Sequence, residues 1–175
     1  MTVRGRGVIA GTVAGWWSYV VLDFAIHAVV LESWWRSTQS YWIPPVEMAR
    51  RIPFAYLAFA MYCLGLSWVV VAMRGQPLRV SQGLRVGALA GAAFGAMSAL
   101  GAYSVVRLPV SFLVVGPGST AACSGIAGAA ASWVAGGNRR WRRVGLVFAF
   151  GLAVFVAGVV GQNIVHAART GATAP

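Results

Sequence analysis

The chain has 175 residues, 59% of them hydrophobic and only 10% charged. A soluble domain carries roughly a quarter charged residues, so a water-facing surface is excluded and lipid is the expected solvent. The net charge is +11, and all the basic residues are Arg. These fall between apolar stretches and form no separate basic domain, which argues for loops meeting anionic lipid heads and against a nucleic-acid partner.

The expected fold class is all-α: a polytopic transmembrane bundle of about five spans in a single domain, 1–175. Span one covers about 7–31. It follows Arg4 and Arg6 and is too long for a signal-peptide core, so it reads as a retained first crossing. An aromatic loop, 33–51, follows with Trp34, Trp35, Tyr41, Trp42 and the turn pair Pro44-Pro45. Its density of Trp and Tyr suggests an interfacial belt, and 45–51 suggests a short surface helix with Pro in its first turn.

Span two is expected at 52–73 and span three at 84–106, the latter ending at Arg107-Leu108-Pro109. Span four, 110–135, is interrupted by Gly116-Pro117-Gly118. It is either a kinked crossing or a re-entrant turn, which would leave four spans. Span five covers 144–165, after the cluster Arg139, Arg140, Arg142 and Arg143. An N-terminus inside and a C-terminus outside puts nine Arg within and five without, satisfying the positive-inside rule. Five crossings of a bacterial inner membrane follow as the expectation.

Three spans carry small residues at every fourth position. These rows are Gly7, Gly11, Gly15; Gly83, Gly87, Gly91, Gly95, Ala99; and Gly145, Ala149, Ala153, Ala157, Gly161. Such rows let helix backbones approach closely in lipid. Spans one and three also align at an offset of 80, as a parallel duplication would.

The polar residues inside the spans are few. Asp23 is the only acidic side chain within an apolar stretch, and His27 follows one turn later on the same face. The ridges continue toward Tyr103 and Arg107 in span three, and Gln162, Asn163 and His166 lie beside the ridge of span five. The five-span topology collects all seven in the outer half of the bundle, with Arg107 as the expected charged partner of Asp23. An intramembrane carboxylate costs ~2.5–3.5 kcal/mol on insertion scales and persists when it faces the interior and is paired. The cluster is therefore expected to clamp the bundle or to bind a proton, an ion or a small ligand.

Asp23, His27 and His166 would match a two-His, one-carboxylate ligand set, but no local metal motif accompanies them, so neither metal nor cofactor is expected. Cys63 and Cys123 read as small buried hydrophobes. No nucleophile–base pair, phosphate loop or paired catalytic carboxylates are visible, and no enzyme activity is expected. The expected partners are the bilayer, anionic lipid at the inner Arg clusters, and a second copy or a larger membrane complex in which this chain is an accessory subunit.

Two resemblances add to this. Asp23-Phe24-Ala25-Ile26-His27, then Trp42-Ile43-Pro44 and Glu47-Met48, resemble a set of small bacterial inner-membrane proteins in a domain family of unknown function. The likeness covers about 15–70 and implies the membrane location but no activity; those proteins usually have four spans, so a fifth departs from them. The span count, the eight Trp and Trp42-Ile43-Pro44-Pro45 are similar to the tryptophan-rich translocator-protein family, which has five helices and binds porphyrin- or sterol-like ligands. The glycine ridge of span three departs from that family.

Overall fold

The structure is a computed structural model that describes residues 3–72 and 77–170. Its helices are α1 (Val3–Ala25), α2 (Glu32–Ser37), α3 (Pro45–Ala72), α4 (Val80–Val105), α5 (Phe112–Ala135) and α6 (Arg140–Thr170). A π-helical turn, Ile26–Val30, prolongs α1, and a 3-10 turn, Gln39–Tyr41, follows α2. Five segments are long and apolar enough to cross a membrane: Gly5–Val30, Val46–Val71, Val80–Val105, Phe112–Ala135 and Arg140–Ile164. Large apolar side chains such as Phe54, Met61, Leu89, Met97 and Phe150 stand exposed on their outer faces. Patches of that size are excluded from a monomer in water and are what lipid requires. The chain is an integral, multi-pass membrane protein with an all-α bundle.

Contacts between the helices fix their relative directions. Going up α1, Gly7 meets Val71 and Gly11 meets Ser67, so α1 and α3 are antiparallel. Gly11 meets Ala131 and Gly15 meets Ala127, so α1 and α5 are antiparallel too. Trp17 stacks on Phe148 and Phe24 packs on Phe155, so α1 and α6 run parallel. Gly83 lies against Ser132 and Gly95 against Pro117, so α4 opposes α5. Successive long helices thus alternate in direction, as five crossings require.

The core sits around α1 and α5. Tyr19, Cys63, Leu66, Val70, Cys123 and Ala127 form its main cluster, between α1, α3 and α5. Ala10, Ala14, Val134 and Val144 form a second, between α1, α5 and α6. Cys63 and Cys123 are buried free thiols, as their apolar settings suggested.

The α4 ridge is fully buried from Gly83 to Ala99. Its partner is the small face of α5: a Cβ at Gly91 would stand 2.5 Å from the Thr120 carbonyl, and one at Gly95 would stand 2.8 Å from Pro117 Cα. Backbones this close are bound by dispersion between their own atoms, which is the drive available to helices in lipid. The α1 row packs likewise, on α3 and α5.

The α6 row does not. Gly145, Ala149, Ala153 and Ala157 are exposed, and nothing lies within 4 Å of a Cβ built at Gly145 or Gly161. Instead α6 turns Phe148, Gly151, Phe155 and Gly158 toward α1, where Trp17 and Phe24 meet them. Trp17 and Phe24 are seven residues apart, as are Phe148 and Phe155, and Gly151 and Gly158. A seven-residue repeat on two parallel helices is the pattern of a knobs-into-holes seam, and large-into-small packing chose this face over the uniformly small one.

Three further points are decided by the structure. Residues 45–51 form no separate surface helix: α3 runs unbroken from Pro45 to Ala72 with Pro53 inside it, and Arg51 pairs with Glu47 across its first turns. Gly116-Pro117-Gly118 does not break α5, which is continuous with Pro117 in its second turn. Beside it the hydroxyls of Ser119 and Thr120 both donate to the Gly116 carbonyl at 2.9 Å, side-chain bonds back along the same helix. At the offset of 80, Gly15 lies beside Ala127 while its match Gly95 lies beside Pro117 and Thr120. The aligned residues of spans one and three therefore stand at different depths, seven to ten residues or ~10–15 Å apart along α5.

Candidate functional site

The π turn is the local feature that builds the site. Its bond from Leu31 N–H to the Ile26 carbonyl is 2.7 Å. Such bulges are rare and cluster at functional positions. Here the turn holds His27 with Nδ1 3.1 Å from a carboxylate oxygen of Asp23 and 2.9 Å from the Asp23 carbonyl. Both side chains are about a quarter exposed. With the carboxylate accepting from Nδ1, the neutral ring keeps Nε2 as its acceptor.

The aromatic loop folds over this pair. The His27 ring meets the Trp35 indole edge-on at 5.5 Å, and Trp35 packs on Trp42 at 4.7 Å. Trp42 in turn packs on Phe112 of α5 at 5.8 Å, and Trp34 stacks over the same ring at 6.4 Å. Two hydrogen bonds fix the cap: Trp34 Nε1 donates to Ser111 Oγ at 3.0 Å, and Trp42 Nε1 donates to buried Thr38 at 3.2 Å. The Trp35 indole N–H is buried with no hydrogen-bond partner among the described residues. A buried donor left unpaired costs about 1–3 kcal/mol.

Between α1, the loop and α6 lies a cavity of about 520 Å³. His27, Trp35 and Trp42 line it together with Gln162 and the ion pair Arg36–Glu32, whose N–O distance is 2.6 Å. Gln162 donates to the Ala28 carbonyl at 2.6 Å and so ties α6 to the π turn.

Of the seven residues expected to share this layer, the fold brings Asp23, His27 and Gln162 together. Tyr103 and Arg107 do not join them. They line a separate hollow of about 570 Å³ with Tyr41 at the end of α4, so the partner of Asp23 is His27 on its own helix and not Arg107. Asn163 is exposed on α6. The side chain of His166, and with it the Asp23–His27–His166 ligand set, lies outside the described residues. Among the described residues no three His, Cys, Asp or Glu side chains gather as a metal site requires.

Sequence reasoning missed Glu32, Arg36, Trp35 and Trp42 as walls of the site. The spacing of Glu32 and Arg36, four residues apart on one face of α2, was the available signal. Neither protein-family models, nor curated proteins, nor solved structures give a match to this chain.

Proposed function

We propose that this membrane protein is a small-ligand binding protein whose site is the cavity beside His27. The observation that carries the reading is the π turn that seats His27 on Asp23 next to a cavity walled by indoles and by the Arg36–Glu32 pair. The ligand class this suits is a small amphiphile. A flat apolar part would lie against Trp35 and Trp42, and a donor group or a proton would be taken by Nε2 of His27. Asp23 fixes the tautomer that makes this acceptor available. The role is binding and not catalysis, and the site needs no cofactor.

The bilayer is read as a bacterial inner membrane with the N-terminus inside. The Arg distribution supports this orientation. The site then faces the outer side.

The test is native mass spectrometry of protein released gently from its own membranes. A bound small molecule should accompany the wild type and be lost from His27→Ala, while Arg107→Ala, in the other hollow, retains it. Asp23→Asn should weaken retention, because an amide no longer enforces the Nδ1-protonated ring. Identical spectra for wild type and His27→Ala would end the proposal.

The exposed row Gly145, Ala149, Ala153 and Ala157 favours a second role beside binding, as a subunit of a larger membrane assembly. Replacing Ala153 by Leu should then release a copurifying partner; a lone protein in both cases removes this reading.

A further inference from the structure

A second cavity, which shares no lining residue with the one beside His27, lies between α5 and α6. It is a cleft of about 650 Å³ floored by Ser18 and Leu22 of α1, with α5 forming one wall and α6 the other. The α5 wall is low because it presents Ala129 and Ala130, and the α6 wall is Leu146, Phe150 and Val154. From Leu146 to Val154 the cleft runs ~12 Å along the helix, most of the ~15 Å depth of one leaflet's hydrocarbon. Nearly all of its lining is apolar.

The mouth of the cleft is cationic. Trp133 and Val80 close its end. The Arg143 guanidinium lies over the Trp133 ring at 5.2 Å and donates to the Trp133 carbonyl. Arg79 precedes Val80 in the chain, and Arg139 and Arg142 are exposed where α6 begins. These Arg find no carboxylate side chain at their end of the molecule. The chain has three acidic side chains, and Asp23, Glu32 and Glu47 all lie toward the other end, beside His27, Arg36 and Arg51. The Arg cluster also stands at the N-terminus of α6, whose own positive pole adds to the unbalanced charge.

We infer that this cleft is a binding site for one anionic phospholipid, its acyl chain lying between α5 and α6 and its phosphate held at Arg143, Arg142, Arg139 and Arg79. An apolar channel of leaflet depth with an unpaired cationic mouth matches a chain and an anionic head together. A neutral lipid, or a helix from a second copy, matches only the channel.

The test uses the full chain in mild detergent, titrated with dioleoyl phosphatidylglycerol or dioleoyl phosphatidylcholine and read by native mass spectrometry. Phosphatidylglycerol should bind one per chain, at least about tenfold more tightly than phosphatidylcholine. Each Arg near the surface contributes about 1 kcal/mol toward an anionic lipid, so Arg139→Gln and Arg143→Gln should each weaken it about fivefold. Ala129→Phe, which fills the cleft from α5, and Leu146→Trp, which narrows it from α6, should each lower phosphatidylglycerol binding about tenfold with every Arg intact. Equal binding of the two lipids overturns the inference. So does undiminished phosphatidylglycerol binding in both cleft-filling variants, since the Arg would then attract lipid with no chain site. A wild-type dimer that Ala129→Phe turns into monomers would assign the cleft to a second copy and overturn it as well.

Discussion

The Trp17 indole lies flat on the Phe148 ring, with centroids 4.8 Å apart and planes 3° from parallel, and its N–H donates to the Phe148 carbonyl at 3.3 Å. This contact joins the first long helix to the last. It is possible because Gly151, one turn on, leaves room for the indole. Together with Phe24 on Phe155, it holds this face of α6 inside.

The seam should be sensitive on both sides. Trp17→Ala removes a stacked ring and its hydrogen bond and is expected to cost about 3 kcal/mol. Gly151→Leu drives a side chain into the same indole and should cost a similar amount. Unfolding in mixed detergent micelles measures both. A loss below about 1 kcal/mol for each would mean that α6 is held elsewhere.

The glycine rows should separate cleanly by face. A methyl at Gly87 would overlap the Ser124 carbonyl, which is backbone and cannot swing away, so Gly87→Ala is expected to destabilise by about 3 kcal/mol. Gly145 faces open space, and Gly145→Ala should be neutral or slightly stabilising, because Ala is the better helix former by about 1 kcal/mol. Thermal denaturation of the two variants, side by side, reads the difference.

The aromatic cap offers a comparison between neighbours. Trp34→Phe loses the bond to Ser111 and should cost about 1 kcal/mol. Trp35→Phe deletes an N–H that has no partner among the described residues, so it should cost less than Trp34→Phe in spite of the deeper position of Trp35 against His27. The reverse order would count against an unpaired Trp35 N–H.

The alternation of helix directions predicts the outcome of topology labelling. With Cys63 and Cys123 replaced, single Cys substitutions at Ser40 and Gly137 should react from opposite sides of the membrane. Labelling of both from the same side would remove the alternating arrangement.

Composition and periodicity alone determined that this is a membrane bundle, where its crossings lie, and that Gly83 to Ala99 is a packing surface. Apolar length and fourth-position small residues are local properties, and lipid as solvent leaves few other solutions. The Asp23–His27 pair was legible for the same reason, since four residues on one helix already fix their distance.

Only the tertiary structure decided the rest. The same fourth-position rule marked the α6 row, which ended outside, because the choice of face depended on Trp17 and Phe24 of another helix. Arg107 was placed near Asp23 by depth alone. Depth says nothing about position around the bundle, and α4 packs against α5 rather than against α1, which carries Arg107 to a different hollow. The walls of the His27 cavity come from a loop, a π turn and the far end of the chain, and no local pattern joins those three. Sequence sets what each helix can offer; which offers meet is settled by how α3, α4 and α6 pack around α1 and α5.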